Sequence, residues 1–177
     1  MTAARLLLAA LIVALALPAA ALTRDQSAAL DARLSAFEAA VRTSDYAVMV
    51  DVMPPRILEG LAAQTGTSVD RWKASFQSML RQSFEEATLL EFSMTPERAT
   101  TGATGDGIEY ALIPTKTQIV MNAVGRIESS AHTLALFDGG RWYLMRLGDP
   151  AQMAELRRAY PGFAAVDLPQ GTMTFLD

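Results

Sequence analysis

The sequence contains no cysteine. Disulfides, thiolate nucleophiles and cysteine-bearing metal sites are therefore excluded together. Histidine occurs once, at His132, and lysine only at Lys73 and Lys116. A zinc site would have only carboxylates and one imidazole to draw on, so no metal is expected, and no cofactor. Basic residues are outnumbered, 15 against 19 acidic, for a formal charge of −4. No basic run exceeds Arg157-Arg158, which argues against nucleic acid as a partner, since that needs clustered positive charge. Catalytic signatures are missing too: there is no G-x-S-x-G and no H-E-x-x-H. The glycines of "GATGDG" have neither a strand-to-helix setting nor a following Lys-Ser/Thr, so they read as a flexible turn rather than a phosphate loop.

What is present is apolar material. Hydrophobic residues make up 51% of the 177 and charged residues 19%, a balance that suits one globular domain with a sizeable core. The first 21 residues read as a cleavable signal peptide. Arg5 precedes an apolar stretch from Leu6 to Leu17, followed by a proline and small residues, with Ala19 and Ala21 fitting an A-x-A cleavage site. The stretch is short for a bilayer span, although an uncleaved anchor is the competing reading. With no cysteine after the small residues, a lipoprotein is excluded. The expected mature domain is 22–177, periplasmic or secreted, with no membrane attachment after cleavage. Losing Arg5 takes its net charge from −4 to −5.

Helical signals come first. Thr23 with Gln26 forms a capping box, and Leu30, Leu34, Phe37 and Val41 follow at helical spacing, predicting a helix over 24–42. Ser44 is placed to cap a short second helix in "DYAVMVDVM", stopped by Pro54-Pro55. Pro55 opens a third, which Gly66 ends. Thr67 or Ser68 caps a fourth, in which Trp72, Phe76, Met79, Leu80 and Phe84 share a face. From Thr88 the pattern changes to segments rich in Ile, Val, Thr, Tyr and Phe separated by turn signals. "ATTGATGDG" and "NAVG" read as longer connections and Gly139-Gly140 as a tight turn. Asp149, Pro150 and Gln152 then open a last helix that ends near Tyr160, and "GTMTFLD" reads as a short strand or an extension. The expected class is α+β: N-terminal helices packed on a bent antiparallel meander sheet, with a short C-terminal helix.

The Gly-Gly turn puts the last hairpin in register, because a two-residue loop with positive φ needs such residues. Asp138 falls opposite Arg141, Phe137 opposite Trp142, Leu136 opposite Tyr143, Leu134 opposite Met145 and His132 opposite Leu147. An even loop around Asn122 to Gly125 puts Ile113, Thr115, Thr117, Ile119 and Met121 on the His132 face. Tyr110, Leu112, Lys116, Gln118 and Val120 then join Trp142, Leu144 and Arg146, and a bulge at Pro114 would flip part of this. On this register the leading helices cover the His132 face, and the Trp142 face suits a half-wet surface or a partner contact.

Leading helices folded over a bent antiparallel sheet, with long strands ending in the "DGGRWYLMR" hairpin, resemble the cone-shaped roll of nuclear transport factor two. That superfamily also holds ketosteroid isomerase and scytalone dehydratase. The resemblance spans roughly Asp25 to Leu147 and rests on element order and the hairpin. It departs in having no early strand before Thr88. It implies a pocket between helices and concave sheet, and frequently a dimer through the sheet's open face, in a superfamily of both enzymes and non-enzymatic binders.

Two functional readings follow. The leading one is an exported, non-enzymatic binding domain for a partner protein or a small apolar ligand. Its pocket would be lined from Tyr46, Met49, Trp72, Thr117 and His132, and the Tyr110/Phe137/Trp142 face would form the protein contact, a homodimer included. Methionines such as Met49, Met53, Met79, Met121 and Met145 suit a core filler or an apolar pocket. The alternative is a small acid–base enzyme of the isomerase or dehydratase kind with His132 as the working group, since imidazole titrates near neutral pH. A ketosteroid-isomerase-like version needs a pocket carboxylate with a tyrosine donor such as Tyr46 or Tyr110. Asp45 reads instead as a first-turn helix acid, and Glu109 and Asp138 as surface partners of Arg141.

Overall fold

A computed structural model of the chain describes residues 22–122 and 124–176. The expected signal peptide, residues 1–21, lies outside them. Helix α1 (Arg24–Thr43) starts where the capping box places it: Gln26 N–H donates to Thr23 Oγ1 at 3.2 Å, and Gln26 Oε1 accepts from Thr23 N–H at 2.9 Å. It ends at Ser44, which sits in the left-handed region at φ 56°. Ser44 is therefore the C-cap of α1, and Asp45 is the residue that caps α2 (Tyr46–Asp51), accepting from Val48 N–H. Pro55 opens α3 (Pro55–Gln64) and Ser68 caps α4 (Val69–Glu85). After the sheet, Asp149 accepts from the N–H groups of Ala151 and Gln152 and starts α5 (Pro150–Ala159).

Six antiparallel strands follow α4: β1 (Ala87–Met94), β2 (Thr100–Ala103), β3 (Glu109–Met121), β4 (Gly125–Asp138), β5 (Arg141–Leu147) and β6 (Thr172–Leu176). Their central order is β1-β3-β4-β5, with β2 beside β3, and with β6 on β4 beyond the end of β5. The fold is α+β, helices leading and packed against a curled antiparallel sheet. The stretch expected as a connection, "ATTGATGDG", contributes β2. Its Gly102 lies opposite Tyr110, where a Cβ would stand 2.6 Å from the phenol oxygen, so the bare backbone is what lets the ring lie over the strand.

The hairpin register matches expectation at all five named pairs, from Asp138↔Arg141 to His132↔Leu147. Gly139 and Gly140 both take positive φ, as a tight turn between right-twisted strands requires. The β3–β4 register does not match. Met121 pairs with Gly125, leaving a loop of odd length, and Pro114 sits opposite His132 without a bulge. One residue of parity exchanges every side chain between faces. Ile113, Thr115, Thr117 and Ile119 thus lie with Thr133, Trp142, Leu144 and Arg146, while Tyr110, Leu112, Lys116, Gln118 and Val120 lie with His132.

Each face has its own core. On the Trp142 face, Leu30 and Leu34 of α1 and Val52 after α2 pack on Ala111, Ile113, Ala135, Trp142 and Leu144. On the His132 face, Met153 and Leu156 of α5, with Tyr160 and Phe163 beyond it, pack on Leu112, Leu134, Leu136 and Leu147. The expected coverage is therefore corrected: α1 and the segment after α2 pack on the Trp142 face, while the C-terminal elements, joined by Ile57 of α3, pack on the His132 face.

A candidate ligand cleft

Helix α4 poses the question that locates the site. Trp72, Phe76, Leu80 and Phe84 form an apolar stripe at three- and four-residue spacing. Such a stripe ordinarily disappears into a core, yet no residue of α4 is fully buried. Met79, expected on the same stripe, is 51% exposed and does not line the cleft. The stripe faces a cleft of about 530 Å³, within the roughly 300–1,000 Å³ usual for small-molecule sites.

The sheet forms the floor of this cleft through Leu89 and Phe92 of β1, Thr115, Thr117 and Ile119 of β3, Thr133 of β4, and Leu144 and Arg146 of β5. Met49, Val52, Ile57 and Leu61 from α2, α3 and the turn between them close one side, and Asp149, Gln152 and Glu155 stand at one end. Two rings stack within the stripe, Trp72 on Phe76 at 4.9 Å, and Tyr46 tilts against Phe84 at 5.7 Å. Further along the floor, Met173 and Phe175 of β6 are 63% and 64% exposed. Their partners Ser129 and Ile127 share the face of Thr133, so both point to the same side as the cleft.

Polar groups on this surface are few. Thr115 and Thr133 share a buried hydrogen bond of 2.8 Å between hydroxyls, and Thr115 also donates to Ile113 O. Arg146 donates to Ser129 Oγ at 2.5 Å. Arg146 is an exposed residue; the protein around its guanidinium nonetheless lowers its pKa from the usual arginine range, while nearby Asp149 acts to raise it. Asp149 is occupied by the α5 backbone, and Glu155 binds Arg158 at 2.5 Å and Gln64 at 3.1 Å.

The residues named from sequence separate accordingly. Met49, Trp72 and Thr117 line the cleft, and Tyr46 flanks it through Phe84. His132 lies on the other face, opposite Pro114 and Leu147. Its Nδ1 is buried with no hydrogen-bond partner, and burial lowers its pKa from the ordinary imidazole value, favouring the neutral form. The three interface candidates do not share a surface either. Trp142 is 2% exposed beneath α1, where its indole N–H donates to Gln26 O at 2.9 Å, with Phe137 tilted against it. Tyr110 packs on Phe163 across the sheet.

The carboxylates are spread over the molecule and engaged elsewhere. Asp51 binds Lys73 at 3.2 Å and Arg141 at 2.9 Å; burial acts to raise its pKa, but those two cations outweigh it and the net shift is downward. Asp138 binds Arg56 and accepts from the Tyr160 hydroxyl at 3.0 Å, and that phenol is pushed upward by burial and by the carboxylate. The expected cross-turn pair of Asp138 with Arg141 is thus replaced by two partners from helices and one from the segment after α5. Glu109 accepts from Gln26 of α1 rather than reaching Arg141. Among the described residues no group of three or more metal-ligating side chains comes together, and no helix is long and apolar enough to cross a membrane.

Arg146 is the site residue that sequence reasoning passed over. Its position on the Trp142 face was readable from the Gly-Gly register, but that face read as an outer surface. No protein-family model, curated protein or solved structure matches this chain.

Proposed function

We propose that this protein binds a small, largely apolar molecule in the cleft between α4 and the sheet and performs no chemistry on it. The observation that carries the reading is the α4 stripe. Four large apolar side chains are held over open volume instead of over partner atoms, an arrangement that leaves contact energy unused until a guest supplies it. The threonine hydroxyls of the floor are mostly satisfied internally, which suits a guest that asks for few hydrogen bonds.

The curled sheet under leading helices supports placing the chain with the cone-shaped rolls typified by nuclear transport factor two, where a pocket in this position recurs. Export to the periplasm or beyond is part of the proposal and rests on the Arg5, Leu6–Leu17 and Ala19/Ala21 pattern. The acid–base alternative has little to draw on. His132 stands beside a proline and a leucine, and no second titratable group is within hydrogen-bond reach of it among the described residues.

The test is a titration with decan-1-ol followed by the two indole N–H signals in NMR. Saturable binding should move the Trp72 signal and leave that of Trp142, beneath α1, in place. Leu80→Glu should abolish the movement while the fold persists by circular dichroism. A Trp72 signal that stays fixed up to the solubility limit overturns the proposal.

A further inference from the structure

The polar end of the cleft holds a guanidinium that makes no direct contact with a carboxylate, although Asp149 and Glu155 line the same end. Arg146 spends one N–H on a neutral hydroxyl, Ser129 Oγ. Among the described residues no carboxylate oxygen lies within 4.0 Å of its guanidinium. The two acids that line the same end are already engaged, Asp149 with the start of α5 and Glu155 with Arg158 and Gln64. A guanidinium presents five donors in a rigid planar fork, and most of this fork has no protein acceptor.

This matters once a guest enters. An apolar molecule seated against Leu80, Phe84, Leu89 and Ile119 would strip water from Arg146 and give nothing back, at a cost that rises with burial. A guest bearing a carboxylate at one end would take the fork in a two-pronged, charge-assisted arrangement and lay its chain under α4. The cleft is apolar along the helix and presents a guanidinium with open donors at one end, so it matches a molecule that is apolar along its length and carries a carboxylate at one end. Its volume of about 530 Å³ is in the lower half of the roughly 300–1,000 Å³ range, which fits one chain rather than several.

We propose that the ligand is a single-chain carboxylate amphiphile, its headgroup bound by Arg146 and its chain lying between α4 and the floor of the sheet. The proposal rests on the cleft being a binding site, and the test separates the two claims. Dodecanoate and dodecan-1-ol, which share a chain length and differ in the headgroup, are titrated by calorimetry below their aggregation thresholds into wild type, Arg146→Gln and Arg146→Lys. Wild type should bind dodecanoate about ten-fold or more tighter than the alcohol, as a charge-assisted hydrogen-bonded contact predicts. Arg146→Gln should erase the preference by weakening dodecanoate alone, and Arg146→Lys should retain part of it. Equal affinities in wild type, or a preference that survives Arg146→Gln, overturn the carboxylate assignment while binding of the alcohol still upholds the apolar cleft. If neither compound binds, both readings fall.

Discussion

Two phenylalanines offer a matched comparison of packed core and open cleft. Phe163 is fully buried, tilted against Tyr110 at 5.4 Å and edge-on to Tyr160 at 6.5 Å. Phe76 stacks on Trp72 and otherwise faces the cleft. Truncating either to alanine removes the same atoms, so the difference in cost reports what those atoms touch. Phe163→Ala should cost about 3–5 kcal/mol, the range for a phenylalanine removed from a close-packed interior. Phe76→Ala forfeits the stacking contact and part of its apolar burial, about 1 kcal/mol. Urea unfolding with unchanged slopes measures both. In thermal scans the gap of about 2 kcal/mol or more should appear as roughly 4–8 °C for a domain of this size. A loss of 3 kcal/mol or more for Phe76→Ala would refute the reasoning, because it would mean that α4 is packed as core and that the cleft is closed in solution.

Further outcomes follow from the same geometry. Thr117→Leu places an apolar side chain on the cleft floor and should leave stability within about 1 kcal/mol of wild type while competing with decan-1-ol for space, both read by the assays above. Trp142→Glu buries a carboxylate under α1 and should abolish cooperative unfolding, seen as a lost near-ultraviolet signal; a folded variant with altered oligomeric state would instead return Trp142 to the surface. Asp149→Ala removes the cap of α5 and should cost about 1 kcal/mol, with faster hydrogen exchange at Ala151 and Gln152. For His132 the folded-state pKa is depressed, so the unfolded chain takes up the proton first. Its contribution is intact above the unfolded value near pH 6.5 and is lost as pH falls through the window below it. His132→Gln should flatten the fall in stability that begins below about pH 6.5, measured as urea midpoints at successively lower pH.

Local chemistry made much of the fold readable from the chain. The capping box at Thr23 and Gln26, the Asp149-Pro150 start of α5 and the Gly139-Gly140 turn are each fixed by residues within four positions of one another, and each stands where expected. What was not readable depended on distance or on parity. The loop after Met121 carries no glycine pair to set its length, and a loop of odd rather than even length exchanged the faces of β3. Asp138 and Arg141 looked like partners because they face each other in sequence register, but α2 and α3 bring Asp51 and Arg56 to them from 90 and 82 residues away. The same limit governed the site. Trp72, Met49 and Thr117 carry the apolar and small-polar character of a pocket in their own residue types, whereas Arg146 gains its meaning only when it is seen to line the same cleft as α4 with no carboxylate oxygen within 4.0 Å of it among the described residues. His132 attracted attention by being alone in the sequence, and it lies across the sheet from the cleft.

The most direct test of the account is where a bound guest touches the protein. Isotope-filtered NOE spectra of the protein saturated with unlabelled decan-1-ol should show contacts to the methyl groups of Leu80, Leu89 and Ile119. The methyls of Leu147 and Leu156, beneath α5, should stay silent. Contacts to the α5 side, or a spectrum with none from the cleft, would contradict the claim that α4 and the sheet together form a binding site.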